Sequence, residues 1–427
     1  MLEDYYLKPD TIDRIRASWL GEPIERYVAW LAEQGYAARN VYRRVPMLMH
    51  FAQFSAARGA KNWEDLPEHV EAFVAAWSRE HGRHCKTKEA KRQVAGAARV
   101  PVEQMVRLLL PDYQGHKRTP LPQPFVHGAP GFFDYLREER GLRPASIALY
   151  VHNLRRLEGY LRRIELPELG SLSPAVLSGF FTDSAQGLGK HALSALCTQV
   201  RIFTSYLYRE GLITRDLSRG IDRPRIYRLS DIPRAISWEE VRQLLEAVDR
   251  RSAVGKRDYA ILLLLVTYGL RAREVAALTL DALDWAHERL SVPERKAGHS
   301  MAYPLSPIVG EAIVDYLQHG RVAGTQRAVF LRANAPHTPL GWPAISQMTA
   351  RRLRNAGIVI ARPGSHTLRH TCVQRLVEAQ FSLKAIGDYV GHSLPQSTEI
   401  YYRQKVVMCW NAAKALIKNA SARLTAA

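Results

Sequence analysis

The sequence predicts a mainly α-helical protein with a small β component, in which two helical blocks precede one mixed α/β domain. Three observations carry that expectation. Apolar residues recur at helical spacing through the first half of the chain. Two proline-punctuated, basic segments interrupt the pattern. Period-two alternation is confined to one short stretch between residues 289 and 305.

The breaks define the blocks. Thr119-Pro-Leu-Pro-Gln-Pro-Phe125 cannot be helix, because its prolines remove donors and push their predecessors toward extended backbone. Arg223-Pro-Arg-Ile-Tyr-Arg-Leu-Ser-Asp-Ile-Pro-Arg234 reads as an extended connection for the same reason. Three blocks result, 1–118, 126–222 and 236–427. In the first, Val41, Val45, Leu48 and Phe51 mark a helix over residues 40–56. In the second, Ile147, Val151, Leu154, Leu157 and Leu161 mark one over residues 145–163, with Arg155, Arg156, Arg162 and Arg163 between them. The two blocks also align. Tyr27, Trp30 and Leu31 match Phe132, Tyr135 and Leu136 at an offset of 105, and Gly35, Leu48, Phe51, Phe54, Leu66 and Val70 match Gly141, Leu154, Leu157, Tyr160, Leu172 and Val176 at 106. A tandem repeat of one helical unit is the expectation.

The third block is mixed. Ser237-Trp-Glu-Glu240 has the spacing of a capping box. An apolar helix is expected from about Arg257 to Tyr268. Arg289 to Pro293 and Met301 to Leu305 alternate as two strands of a hairpin turning around Lys296-Ala-Gly298, and helices dominate again from Ser306.

Composition narrows the function. Of 427 residues, 47% are hydrophobic and 24% charged, which excludes wholesale disorder. Sixty Lys and Arg against 41 Asp and Glu leave a net charge of +19, and the pI is near 9.9. That excess points to a polyanionic partner, nucleic acid before a membrane surface. The apolar run around Ile261–Val266 is far too short to span a bilayer. The N-terminus lacks the basic and apolar regions of a signal peptide, and the four cysteines show no paired spacing. A cytoplasmic protein acting on DNA or RNA is expected.

Four polar constellations in the third block serve no packing purpose. Thr267-Tyr-Gly-Leu-Arg-Ala-Arg-Glu274 places Arg271 where one helix ends at a glycine and the next begins. Lys296 sits at the hairpin tip. Ser365-His-Thr-Leu-Arg-His370 puts His366 and Arg369 on one helix face. Gly391-His392 is followed nine residues later by Tyr401.

This set, in this order and at these separations, closely resembles the tyrosine recombinase (phage integrase) family. The resemblance covers the third block as a mixed α/β catalytic domain and the second as a SAM-like, core-binding domain. The first block lies outside it, and the apparent repeat suggests another DNA-binding helical domain. The resemblance implies site-specific cleavage and rejoining of DNA through a 3′-phosphotyrosine, with Tyr401 as nucleophile. Arg271 and Arg369 would hold the non-bridging phosphate oxygens, as planar guanidinium forks do for phosphate generally. Fixed in advance, they favour the more highly charged transition state. His366 would help deprotonate Tyr401, His392 would bond a phosphate oxygen and Lys296 would protonate the leaving 5′ oxygen. No metal, cofactor or ATP is expected. A type IB topoisomerase and a non-catalytic DNA-binding or synapsis protein are the rival readings. The family reading also implies duplex DNA bearing a specific site as partner, a tetramer of the chain in synapsis, and accessory recombinases or DNA-bending proteins.

Other features are read more plainly. Spacing selects Tyr401 over Tyr402, since adjacent helical side chains point about 100° apart. His81-Gly-Arg-His84-Cys85 opens a basic stretch with Lys86, Lys88, Lys91 and Arg92 rather than a metal site, and Lys86, Lys88, Arg351 and Arg352 are candidate phosphate contacts along with Arg155, Arg156, Arg162 and Arg163. Cys197, Cys372 and Cys409 read as small buried apolar residues. Val406 to Ile417 reads as an amphipathic tail, which either packs on its own domain or docks into a neighbouring protomer, as it often does in the resembled family.

Overall fold

The computed structural model describes residues 1–115, 122–166, 168–225, 235–292 and 301–391. Backbone proximity divides the chain into two units, residues 1–116 with 232–427, and residues 117–231.

The first helices are α1 (Pro9–Arg16), α2 (Gly21–Glu33), α3 (Ala38–Ala56), α4 (Leu66–His81) and α5 (Lys88–Leu109). Val41, Val45, Leu48 and Phe51 of α3 are fully buried or nearly so, in a core shared with Tyr27, Leu31, Val70, Phe73 and Val102. α5 starts where Thr87 Oγ1 accepts the Ala90 N–H at 3.1 Å. It is tied to α4 by the fork of Arg99 on Glu71, Nη2 to Oε2 2.8 Å.

Residues 117–231 hold α6 (Phe132–Glu138), α7 (Pro144–Arg163), α8 (Pro174–Ala185) and α9 (Lys190–Arg209). Phe132, Leu136, Leu154, Leu157, Phe180, Val200 and Phe203 fill the core. A buried amide pair crosses it, with Asn153 Nδ2 donating to Gln199 Oε1 at 2.6 Å. Paired in this way, neither amide carries the penalty of an unsatisfied buried polar group.

The remaining elements are α10 (Trp238–Glu246), α11 (Ala253–Thr267), α12 (Ala272–Ala276), β1 (Leu283–Asp284), β2 (Arg289–Val292), β3 (Met301–Pro304), α13 (Pro307–His319), α14 (Trp342–Asn355), α15 (Ser365–Glu378) and α16 (Leu383–Val390). The Ser237–Glu240 capping box forms as its spacing implies. α11 is apolar all round from Ala260 to Val266 because it is the central helix, packed by α13, α14 and α15. It starts at Ala253, earlier than its apolar run suggests, because Ser252 caps it through the Gly255 N–H at 3.0 Å. The hairpin pairs antiparallel with Leu290 opposite Tyr303, and a third short strand, β1, extends it beyond the expected two. The hairpin's turn and Pro293 lie outside the described residues.

One buried charge organises the core. Asp258 is fully buried and accepts from Arg257 at 2.7 Å and from Arg352 at 2.7 Å, so α11 and α14 are joined through a carboxylate. Removing one partner of such a pair costs about 3–5 kcal/mol, because the other is left buried and uncompensated. Among the described residues no helix is long and apolar enough to cross a membrane.

Candidate active site

Arg271 is placed by a tight junction. α11 ends at Thr267, Gly269 turns the chain at φ +60°, and Arg271 becomes the N-cap of α12. Its backbone N–H donates to Glu274 Oε2 at 2.9 Å and its Nη1 to Glu274 Oε1 at 2.8 Å, so one buried carboxylate orients both the turn and the guanidinium. Its Nη2 donates to the Gly391 carbonyl at 2.9 Å.

Arg369 comes from α15 and is 3% exposed. Its Nη2 donates to the Val390 carbonyl at 2.7 Å, and its Nη1 to the carbonyl of Gly269. The two arginines thus meet at consecutive carbonyls of the α16 C-cap, where Gly391 adopts φ +66°. They arrive from positions 98 residues apart in the chain. Helix C-terminal carbonyls are electron-rich acceptors, and two guanidinium groups there make a strongly electropositive corner.

His366 stands one turn before Arg369 on α15, facing solvent, with its ring centroid 6.1 Å from that of His370. Its pKa is lowered, first by partial desolvation, then by the positive charges of Arg369 and Arg271. The shift favours the neutral imidazole, the form that can accept a proton.

Lys296, His392 and Tyr401 lie outside the described residues, as do His299, Tyr402, Cys409 and the tail after residue 405. What the structure brings together from the expected set is Arg271, His366 and Arg369.

A tyrosine cluster that sequence reasoning missed braces this corner. The Tyr303 ring from β3 lies 5.1 Å from those of Tyr268 and Tyr389, and its hydroxyl donates to the Tyr389 carbonyl. Tyr389 OH donates to the Thr267 carbonyl at 3.1 Å, and Tyr268 OH to that of Pro304 at 3.0 Å. β3, α11 and α16 are thereby locked at one point. Each tyrosine alone is an ordinary core aromatic, so no spacing in the sequence announces the group.

The candidate DNA contacts divide. Arg352 is 17% exposed and bound to Asp258, so it is a structural residue of the core; Arg351 beside it is 57% exposed. Arg155 donates to the Pro122 carbonyl at 3.1 Å and Arg156 is half-buried, while Arg162 and Arg163 are exposed, the latter 2.8 Å from Asp183. Lys86 and Lys88 face solvent. His81 stacks on Trp77 with centroids 3.7 Å apart, and no metal-binding group of three His, Cys, Asp or Glu occurs among the described residues. Cys197 and Cys372 are buried, and burial pushes the Cys372 thiol up to about 12.

A mixed α/β domain in which two arginines converge beside a histidine of lowered pKa is suited to an anionic, phosphate-bearing substrate. Comparison with known proteins makes this specific. Residues 234–406 match the phage integrase family, and residues 130–211 match the phage integrase N-terminal SAM-like domain. The integrase/recombinase y4rA of Sinorhizobium fredii (strain NBRC 101917 / NGR234) is 34% identical over 268 residues, 62% of this chain and 65% of that protein. Integrase/recombinase y4rF of the same organism is 26% identical over 416 residues, 94% of this chain and 93% of that one. A crystal structure of the XerH site-specific recombinase bound to palindromic difH substrate shares the fold, with a TM-score of 0.54 at 17% identity over 66% of this chain and 82% of that one. The chain belongs to the tyrosine recombinase (phage integrase) family and is a site-specific DNA recombinase.

Proposed function

We propose that this recombinase cleaves one DNA strand with Tyr401 as the nucleophile. The phenolic oxygen attacks phosphorus, the P–O5′ bond breaks, and a 3′-phosphotyrosine and a free 5′ hydroxyl result. His366 accepts the proton of Tyr401, whose ordinary pKa of about 10 makes it a poor nucleophile unaided. Lys296 protonates the departing oxygen, and His392 bonds a phosphate oxygen. Arg271 and Arg369 hold the non-bridging oxygens and stabilise the added negative charge, an effect worth roughly 10²–10³ in rate per well-placed donor. Rejoining is the reverse attack by a 5′ hydroxyl. The ester bond is conserved in the protein link, so neither ATP nor a metal enters this scheme. The observation that carries the reading is the convergence of Arg271 and Arg369 on the α16 C-cap next to His366, whose pKa is lowered.

In this reading the SAM-like block and the catalytic domain together hold duplex DNA bearing a specific site. Related recombinases have been solved on DNA, XerH on difH and lambda integrase as a dimer on a COC′ core site. Four protomers would pair two sites in synapsis, in the cytoplasm, with accessory recombinases or DNA-bending proteins where the site demands them. Arg162, Arg163 and Arg351, the exposed members of the candidate arginines, would contact phosphate.

The test is a suicide substrate, nicked beside the cleavage point so that the short cut end diffuses away, with candidate sites taken from DNA flanking the gene. A covalent protein–DNA band on a denaturing gel is expected for the wild type and for Tyr402→Phe, and none for Tyr401→Phe. An undiminished band from Tyr401→Phe overturns the assignment. Relaxation of any supercoiled plasmid, without a site, would favour topoisomerase chemistry instead.

A further inference from the structure

From α2 onward, residues 1–115 repeat the element order of the SAM-like block among the described residues. α3 and α7 begin at Ala38 and Pro144, 106 residues apart, and the same offset separates the 3₁₀ turns Trp63–Asp65 and Leu169–Ser171 that precede α4 and α8. Burial follows the alignment at all but one aligned apolar pair, Val70 being buried and Val176 half-buried. Leu48, Phe51 and Leu66 are buried, as are Leu154, Leu157 and Leu172, while Phe54 and Tyr160 are half-buried in both blocks. Gly35 after α2 and Gly141 after α6 both take positive φ. One internal pairing recurs as well. Tyr27 on α2 donates to Gln104 of α5 at 2.9 Å, and Phe132 on α6 meets Tyr206 of α9 with centroids 5.1 Å apart.

The register shifts by one or two residues up to α4 and α8, and by more before the last helix. α5 starts at Lys88 and α9 at Lys190, an offset of 102, so the first block holds four more residues before its last helix. They are taken up by a longer α4 and a longer α4–α5 corner, residues 82–87 against 186–189. That corner carries the charge of the block. Residues 1–115 contain 17 Lys and Arg against 15 Asp and Glu and are nearly neutral, yet residues 79–92 hold six against two. Seven of the 15 acidic residues lie before residue 34. Arg83, Lys86, Lys88, Lys91 and Arg92 are all exposed, and the N-terminus of the long helix α5 adds its own positive end. Packing of the block does not require this segregation, and it creates a field that attracts a polyanion.

We propose that residues 1–115 form a second SAM-like module whose α4–α5 corner lies along the phosphates of duplex DNA. The inference rests on the reading that the SAM-like block holds DNA, and adds a separate surface to it. Lysine and arginine charges at this corner would position a duplex by its phosphates rather than read its bases.

The full-length chain is titrated with random-sequence duplexes, one short and one lengthened at both ends, across a range of salt. Two variants each remove four positive charges from residues 1–115. One carries Lys86→Gln, Lys88→Gln, Lys91→Gln and Arg92→Gln; the other carries Lys8→Gln, Arg26→Gln, Arg39→Gln and Lys61→Gln at exposed sites elsewhere. Every phosphate that is no longer neutralised reduces the slope of log K against log salt by about 0.9. The slope of the corner variant should be shallower by about 2–4, and its affinity for the longer duplex at least about tenfold weaker. The second variant should change much less. Equal changes in both would reduce the effect to net charge, and an unchanged corner variant would remove the corner from DNA; either result overturns the proposal. A wild-type chain that binds neither duplex would instead overturn the underlying reading of the SAM-like block.

Discussion

Arg271, Arg369 and His366 show how residue types set by phosphate chemistry are tuned by their neighbours. Each arginine is held by a carboxylate or by backbone carbonyls before any substrate arrives, which leaves little reorganisation for the reaction itself. The same two charges, with partial desolvation, lower the pKa of His366. Lowering extends the neutral imidazole to more acidic solution, so the acid limb of single-turnover cleavage should lie below about 6.5, the ordinary histidine value. Titration of the His366 ring by NMR should show the same displacement. A limb at or above that value, matched by the ring, would count against His366 as the proton acceptor. The sign for stability follows. As pH falls below about 6.5 the unfolded chain takes up the proton first, so His366 removes stability progressively until the folded protein is protonated as well. The residue types and order of this site were legible in the sequence. That Arg352 serves Asp258 was not, because an exposed arginine and a core ion-pair arginine look alike until the partner is placed.

At the scale of elements, the α11–α12 junction governs the site. Gly269 carries φ +60°, and a Cβ there would come within 3.0 Å of Val390 Cγ1 and 3.2 Å of Cys372 Sγ. Its carbonyl also accepts from Arg369. An L-residue in this conformation costs about 1–2 kcal/mol, before any displacement of Val390. Gly269→Ala should therefore lower unfolding free energy by about 1–3 kcal/mol in urea titration. It should also slow cleavage, since Val390 and Gly391 are the carbonyls that both arginines grip. Wild-type stability in Gly269→Ala would show that neither the strain nor the close approach matters. Helix positions, by contrast, were close to what periodicity implied. The helix expected over residues 40–56 runs Ala38–Ala56, and that expected over 145–163 runs Pro144–Arg163. The differences are at the first turns; in α7 a proline at N1 extends the helix beyond its apolar stripe.

For the whole molecule, the net charge of +19 is the property most visible from composition, and it accords with a DNA recombinase whose encounter with its substrate is steered electrostatically. The proposed pairing of two sites by four protomers is testable at Val406–Ile417, a segment outside the described residues that the sequence reading expects to be an amphipathic tail. A chain truncated after Gln404 should still bind a single site, but should fail to assemble on paired sites in gel-shift or sizing measurements. Assembly by the truncated chain at wild-type concentrations would rule the segment out as the coupling element.

The sequence by itself determined the mainly helical character, the positions of the long helices α3 and α7 and the family the chain belongs to. Periodicity, caps and proline are local signals that a single segment carries. Only the tertiary structure decided that Arg271 and Arg369 meet at Val390 and Gly391, that Asp258 claims Arg352, and that Tyr268, Tyr303 and Tyr389 lock three elements together. Most of these interactions join residues separated by dozens of positions, and some by more than a hundred. Their geometry is set by how the surfaces of α11, α14, α15, α16 and the hairpin pack, which no pattern confined to one segment encodes.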